Sequence, residues 1–134
     1  MTIRVSRDMK TPMRHDIQIG PHRISTDASV EGGGEASAPE PHDLYDAALG
    51  ACKALTVLGY AKRKGIPLEG IEVSVDRDAS DERAGTYRLR AVLTLTGDLT
   101  DAQREDLLRV ATKCPIHKLM TAVTTEIVTS LSSG

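Results

Sequence analysis

Residues 41–65, PHDLYDAALGACKALTVLGYAKRKG, limit what the chain can fold into more than any other stretch. Between Leu44 and Ala61 only Asp46, Lys53 and Thr56 are clearly polar. A helix that is apolar nearly all round belongs in an interior. It falls short of a membrane span, which needs roughly 18 to 20 apolar residues without charges. Its ends are marked as well. Pro41 and Asp43 suit a first turn, where acids meet the positive end of the helix dipole. Lys62, Arg63 and Lys64 suit a last turn, Gly65 can take the left-handed position after it, and Pro67 blocks continuation. Cys52 falls near the middle of this predicted helix.

The chain has 134 residues, enough for one domain over residues 1–134 and not for two. Its net charge is -2, with acids and bases mixed along its length, so no nucleic-acid partner is expected. The opening MTIRVSRDMKTPMR has no apolar run, and no secretory leader is expected. The two cysteines lie 62 residues apart and make no secreted disulfide framework. The expectation is a cytoplasmic protein with functional or merely buried thiols. There are three Tyr and no Phe or Trp, so the core must come from Leu, Ile, Val, Ala and Met. Ala47, Ala48, Gly50, Ala51, Ala54 and Gly59 would let another element approach the long helix closely. That element is either a sheet of the same chain or a second copy.

Periodicity supplies the other elements. Residues 2–6 alternate weakly and predict an edge strand. Met13, His15, Ile17 and Ile19 alternate with polar residues, Gly20-Pro21 turns the chain, and residues 13–26 read as a hairpin. Residues 28–40 are rich in Gly, Ala, Ser and Pro and read as a loop. After the long helix, Ile71, Val73 and Val75 mark one strand, and Tyr87, Leu89, Ala91, Leu93 and Leu95 mark its hairpin partner. Thr100 and Gln103 fit a capping box opening a helix through Lys113. Cys114-Pro115 breaks it, and Pro115 suits the first position of another helix. The β-branched run over residues 124–129 reads as a last strand. Strands and helices in this order predict an α+β fold.

The two cysteines sit in opposite settings. Cys114 would stand at a helix entry, facing unpaired N–H groups that favour a thiolate, with His117 one turn on. Cys52 lies among Ala and Leu, where burial alone keeps a thiol protonated and inert. It becomes reactive only if a cation reaches it. Arg14, Arg23 or a residue of a partner chain are the candidates. A lone Cys on an apolar helix is usually a small core hydrophobe, and that reading stands beside the chemical one. Cys114 and His117, with Cys52, His15, His22 or His42, also allow a zinc reading, but no second close-spaced ligand pair exists and no metal is expected.

Residues 41–75 followed by TKCPIHKLM resemble the OsmC/Ohr family of thiol peroxidases. In that family a Pro-x-x-Leu helix start leads to an Ala-Cys in a buried helix, and a later Cys-Pro opens another. The likeness runs from about Arg14 to Leu131, and the wording of both motifs is most similar to the broad OsmC-like branch. It implies an OsmC-like α+β fold, with antiparallel sheets around a long buried central helix and an intertwined homodimer. It implies reduction of organic hydroperoxides, hence an antioxidant role in oxidative stress. Cys52 matches the peroxidatic cysteine and Cys114 the resolving one. No resident cofactor is implied. An external dithiol, lipoyl-type in the family, would restore both thiols.

The family stabilises its thiolate with an Arg held by a Glu. Arg14 is the best match for that Arg, with Arg23 the alternative. The Glu is replaced, since its place after the opening Pro is taken by His42. Asp43 or Glu40 can substitute, or the Arg is held otherwise. Three functions follow as alternatives: a hydroperoxide reductase, a dimeric small-molecule binding or redox-sensing protein with little turnover, and a zinc-binding module.

Overall fold

The structure is a computed structural model and describes residues 1–133. Two compact units make up the chain, Met1–Ala47 and the remainder from Ala48 onward. The boundary falls inside the long helix α1 (Pro41–Lys64).

The first unit is built on three antiparallel strands, β1 (Ile3–Arg7), β2 (His15–Ile19) and β3 (His22–Thr26), in that spatial order. Val5, Ile17 and Ile24 stand opposite one another across the sheet. The two-residue turn at Gly20-Pro21 needs its glycine, because Gly20 has φ +56°. Pro21 cannot follow with a positive φ, so only the turn that asks for it at the first central position fits. The loop after β3 folds around the Asp27 carboxylate. Asp27 is buried and accepts from the N–H of Ala28 at 2.8 Å and of Ser37 at 3.0 Å. Gly34 makes this fold possible, since a Cβ there would lie 2.3 Å from the Ala28 carbonyl.

The expected start and stop of α1 are formed. Glu40 caps its beginning: its carbonyl accepts from Leu44 N–H at 3.2 Å, while Asp43 Oδ2 accepts from Glu40 N–H at 3.0 Å. At the other end Gly65 has φ +67°, Ile66 N–H donates to the Ala61 carbonyl and Gly65 N–H to the Lys62 carbonyl. That is a Schellman close.

In the second unit α1 is followed by a hairpin of β4 (Leu68–Asp78) and β5 (Arg88–Gly97), then α2 (Asp101–Ala111) and α3 (Pro115–Thr121). A single 3₁₀ turn, Glu82–Ala84, lies in the hairpin loop. The capping box at Thr100 and Gln103 opens α2. Val57 and Ala61 of α1 meet Leu107 and Ala111 of α2, and Ile71, Leu93 and Leu95 of the hairpin pack against them. Val57 and Leu107 are fully buried, each a gain of roughly 1.5–3 kcal/mol over exposure. Gly50 lets the hairpin close on α1, because a Cβ there would come within 3.1 Å of Val75 Cγ2.

Two expectations are corrected. The helix is not buried all round: Leu49, Gly50, Lys53, Val57 and Ala61 form a covered face, while Tyr45 and Leu55 stand 48% and 72% exposed. An all-round apolar pattern marks a helix for burial without saying what covers each side. The strand expected over residues 124–129 is absent; that segment has no regular structure, and Ile127 and Val128 are exposed. β-propensity alone makes no strand, because a strand exists only by pairing with an edge.

Candidate functional site: a thiol pair at the α2–α3 corner

The site grows from the corner where α2 ends and α3 begins. Helix ends leave carbonyls unpaired at one terminus and N–H groups unpaired at the other. Here both ends fall within a few residues, and two consecutive residues of α1 reach them.

Cys52 takes the amide side. Its Sγ accepts from Ile116 N–H at 3.5 Å and lies 3.9 Å from Thr56 Oγ1. Cys114 is the residue preceding α3, with extended backbone, and its Sγ accepts from His117 N–H at 3.4 Å. The sulfurs thus sit on successive amides of one helix start. Both thiols are free. Cys114 is fully buried and Cys52 is partly exposed. Burial pushes the Cys114 thiol up, and the neighbouring Cys52 adds to this; the His117 N–H and the Lys53 charge pull it down.

Lys53 takes the carbonyl side. It is buried, at 5% exposure, and Nζ donates to the Ala111 carbonyl at 2.8 Å. Ala111 is the last residue of α2, so the ammonium meets the negative end of that helix. Nζ also lies 3.0 Å from His117 Nδ1. An ammonium has only protons to give, so in this contact it donates and Nδ1 accepts. Lys53 and His117 face a cavity of about 210 Å³ whose walls include Leu49, Leu89, Ala91 and Leu93. His117 was expected one turn beyond Cys114, but the ammonium beside it was not. The signal was Lys53 itself, a charge next to Cys52 in an apolar helix.

Arg14 belongs to the first unit. Its Nη1 donates to Ser37 Oγ at 2.8 Å and to the Ser37 carbonyl at 2.9 Å. Ser37 Oγ in turn donates to Asp27 Oδ2 at 2.6 Å. These bonds, the Ser37 hydroxyl foremost and its N–H next, hold the Asp27 carboxyl down at about 2. Through Ser37, then, an acid stands behind Arg14, and it is Asp27. Asp43 caps α1, His42 follows Pro41 on an exposed turn, and Arg23 stands opposite Gln18 on β3. Among the described residues no group of three or more His, Cys, Asp or Glu is placed to hold a metal, and no helix is long and apolar enough to cross a membrane.

Comparisons with known proteins agree on one family. The family description "OsmC-like protein" matches residues 32–128. No curated protein matches. Among solved structures, the chain is similar to a Psychrobacter arcticus protein described provisionally as an osmotic stress induced and detoxification response protein. That match has 23% identity and a TM-score of 0.76, covering 91% of this chain and 89% of the other. An OsmC-like protein from Mycoplasma pneumoniae has 16% identity and a TM-score of 0.72, covering 91% and 87%. An OsmC described as an organic hydroperoxide resistance protein, from Legionella pneumophila, has 21% identity and a TM-score of 0.65, covering 91% and 90%. At these identities the likeness establishes the fold.

Proposed function

The chain belongs to the family of OsmC-like proteins, and on that premise we propose that it reduces organic hydroperoxides with the Cys52–Cys114 pair. The observation that carries the reading is the seating of both sulfurs on the successive amides of Ile116 and His117. The partly exposed thiol, Cys52, is the peroxidatic one. Its thiolate attacks the O–O bond of a hydroperoxide, takes one oxygen as sulfenic acid and releases the alcohol once the alkoxide gains a proton. The Cys114 sulfur then displaces that oxygen as water and a disulfide forms. An external dithiol reduces the disulfide by exchange and leaves oxidised itself. Arg14 is the cation proposed to favour the Cys52 thiolate, carried over from the family pattern. Its grip by Ser37 and Asp27 supports this, because an oriented guanidinium loses less freedom in meeting an anion. Asp43, by contrast, is committed to its cap, so its proposed role is to order the start of α1.

The protein is further proposed to act as a homodimer in the cytoplasm, where thiols stay reduced. The exposed side of α1, with Tyr45 and Leu55, and the unpaired β-prone tail both call for a second copy. Titration of reduced protein with tert-butyl hydroperoxide, followed by intact mass and thiol counting, tests the chemistry. Two thiols should vanish together for each peroxide, and the Cys52→Ser variant should consume none. Full turnover by that variant overturns the reading. Redox sensing with little turnover is the second reading, favoured by the complete burial of Cys114. It predicts a single round of oxidation that a dithiol reverses only slowly.

A further inference from the structure

Lys53 is the one buried cation among the described residues, and nothing in the scheme above uses it. An ammonium taken out of water costs several kcal/mol unless its surroundings replace the lost hydration. The structure supplies the Ala111 carbonyl and the His117 ring nitrogen. The cavity walls add no carboxylate: β5 contributes Leu89, Ala91 and Leu93, α2 contributes Leu108 and Ala111, and Thr112 follows α2. Within the cavity the positive charge therefore meets no carboxylate, and the other buried charge of α1, Asp46, stands two turns earlier on that helix. Two thiols, themselves acids, border this site. Cys52 is the neighbour of Lys53 in sequence. Cys114 is tied to the same imidazole, since His117 binds Lys53 through its ring and Cys114 through its backbone N–H.

We propose that Lys53 is the positioning residue of the resolving step, holding His117 in place and supplying the charge against which Cys114 gives up its proton. The inference rests on the reading of Cys114 as the resolving thiol. In that step the Cys114 sulfur donates an electron pair to the Cys52 sulfur, the S–O bond of the sulfenic acid breaks, and the departing hydroxide takes the Cys114 proton as water. The oxidant is the hydroperoxide consumed beforehand. A fully buried thiol does this slowly unless its anion is favoured, and burial opposes that anion. The Lys53 charge acts in the opposite sense, without touching the peroxide.

The test separates the two thiol steps. Reduced protein is mixed with one equivalent of tert-butyl hydroperoxide in the presence of dimedone across pH 6 to 9. Sulfenic adduct and disulfide are read by intact mass. Wild type should form disulfide with little adduct. Lys53→Met should form disulfide at least about tenfold more slowly at neutral pH, accumulate adduct on Cys52, and recover as pH rises. Lys53→Arg, which keeps the charge, should restore the wild-type profile. If Lys53→Met does not fold, Lys53→Gln, which can still donate to the Ala111 carbonyl, is read in its place. A neutral variant with the wild-type resolution rate and pH profile overturns the proposal while leaving the peroxidase reading intact. Wild type that loses no thiol to peroxide overturns both.

Discussion

The Asp27 carboxylate grips Ser37 twice, at the hydroxyl (2.6 Å) and at the backbone N–H (3.0 Å), and the same hydroxyl oxygen accepts from Arg14. One buried acid thus orders the long loop and orients a cation. Its carboxyl is held at about 2, below the value of about 3.9 for an unfolded aspartate. The stabilisation is complete above about pH 4 and is lost as pH falls toward 2. Thermal unfolding between pH 6 and pH 2 should show wild type losing stability in that window. Asp27→Asn should be less stable at neutral pH, with the difference shrinking at the acid end. An equal difference at every pH would refute the assignment.

Arg14 and Ser37 should act in series. If Arg14 favours the Cys52 thiolate, Arg14→Gln should slow the first thiol oxidation by about tenfold or more, since about 1.4 kcal/mol is a factor of ten. Ser37→Ala leaves the guanidinium in place but unheld, and its effect should be smaller and in the same direction. Stopped-flow measurement of peroxide consumption under excess reductant reads both. Unchanged rates in Arg14→Gln would remove Arg14 from the mechanism and bring Arg23 forward.

The join between α1 and α2 should be the least forgiving part of the second unit. Leu107 is fully buried against Val57 and Ala61. Leu107→Ala removes that packing and should cost about 2–5 kcal/mol, read by urea denaturation. A loss under about 1 kcal/mol would mean that the site collapses freely around the cavity. Because α2 carries the Ala111 carbonyl that holds Lys53, the variant should also slow disulfide formation.

Association can be tested on the uncovered side of α1. Leu55 is 72% exposed, well away from the covered face. Leu55→Glu should leave the monomer folded by circular dichroism and shift sedimentation from dimer to monomer. A dimer that survives the substitution would show that the contact lies elsewhere.

Much of the fold was legible because its signals are local. Pro41 and Gly65 bracket α1 as expected, since both act through backbone geometry within one turn. The Thr100–Gln103 box is equally self-contained. The alternating runs placed both hairpins for the same reason. Residues 124–129 failed that logic: their β-branched side chains favour an extended chain, but pairing depends on an edge that no local pattern specifies. The same limit hid the true state of α1, whose apolar residues look alike whether a sheet, a second copy or nothing lies against them.

Sequence by itself determined most of the segments, the ends of α1 and the place of Cys114 at a helix entry, but it made Cys52 the buried thiol, whereas Cys114 is the fully buried one and Cys52 is partly exposed. It also made Lys53 conspicuous without giving it a destination. Tertiary structure alone decided which atoms meet. The Lys53 ammonium reaches a carbonyl 58 residues away, and the Cys52 sulfur reaches an amide 64 residues away. Both contacts depend on where α2 stops and α3 starts relative to α1. A helix end has direction and charge only in space, so no reading of neighbouring residues could show that one end would receive a cation and the other two thiols.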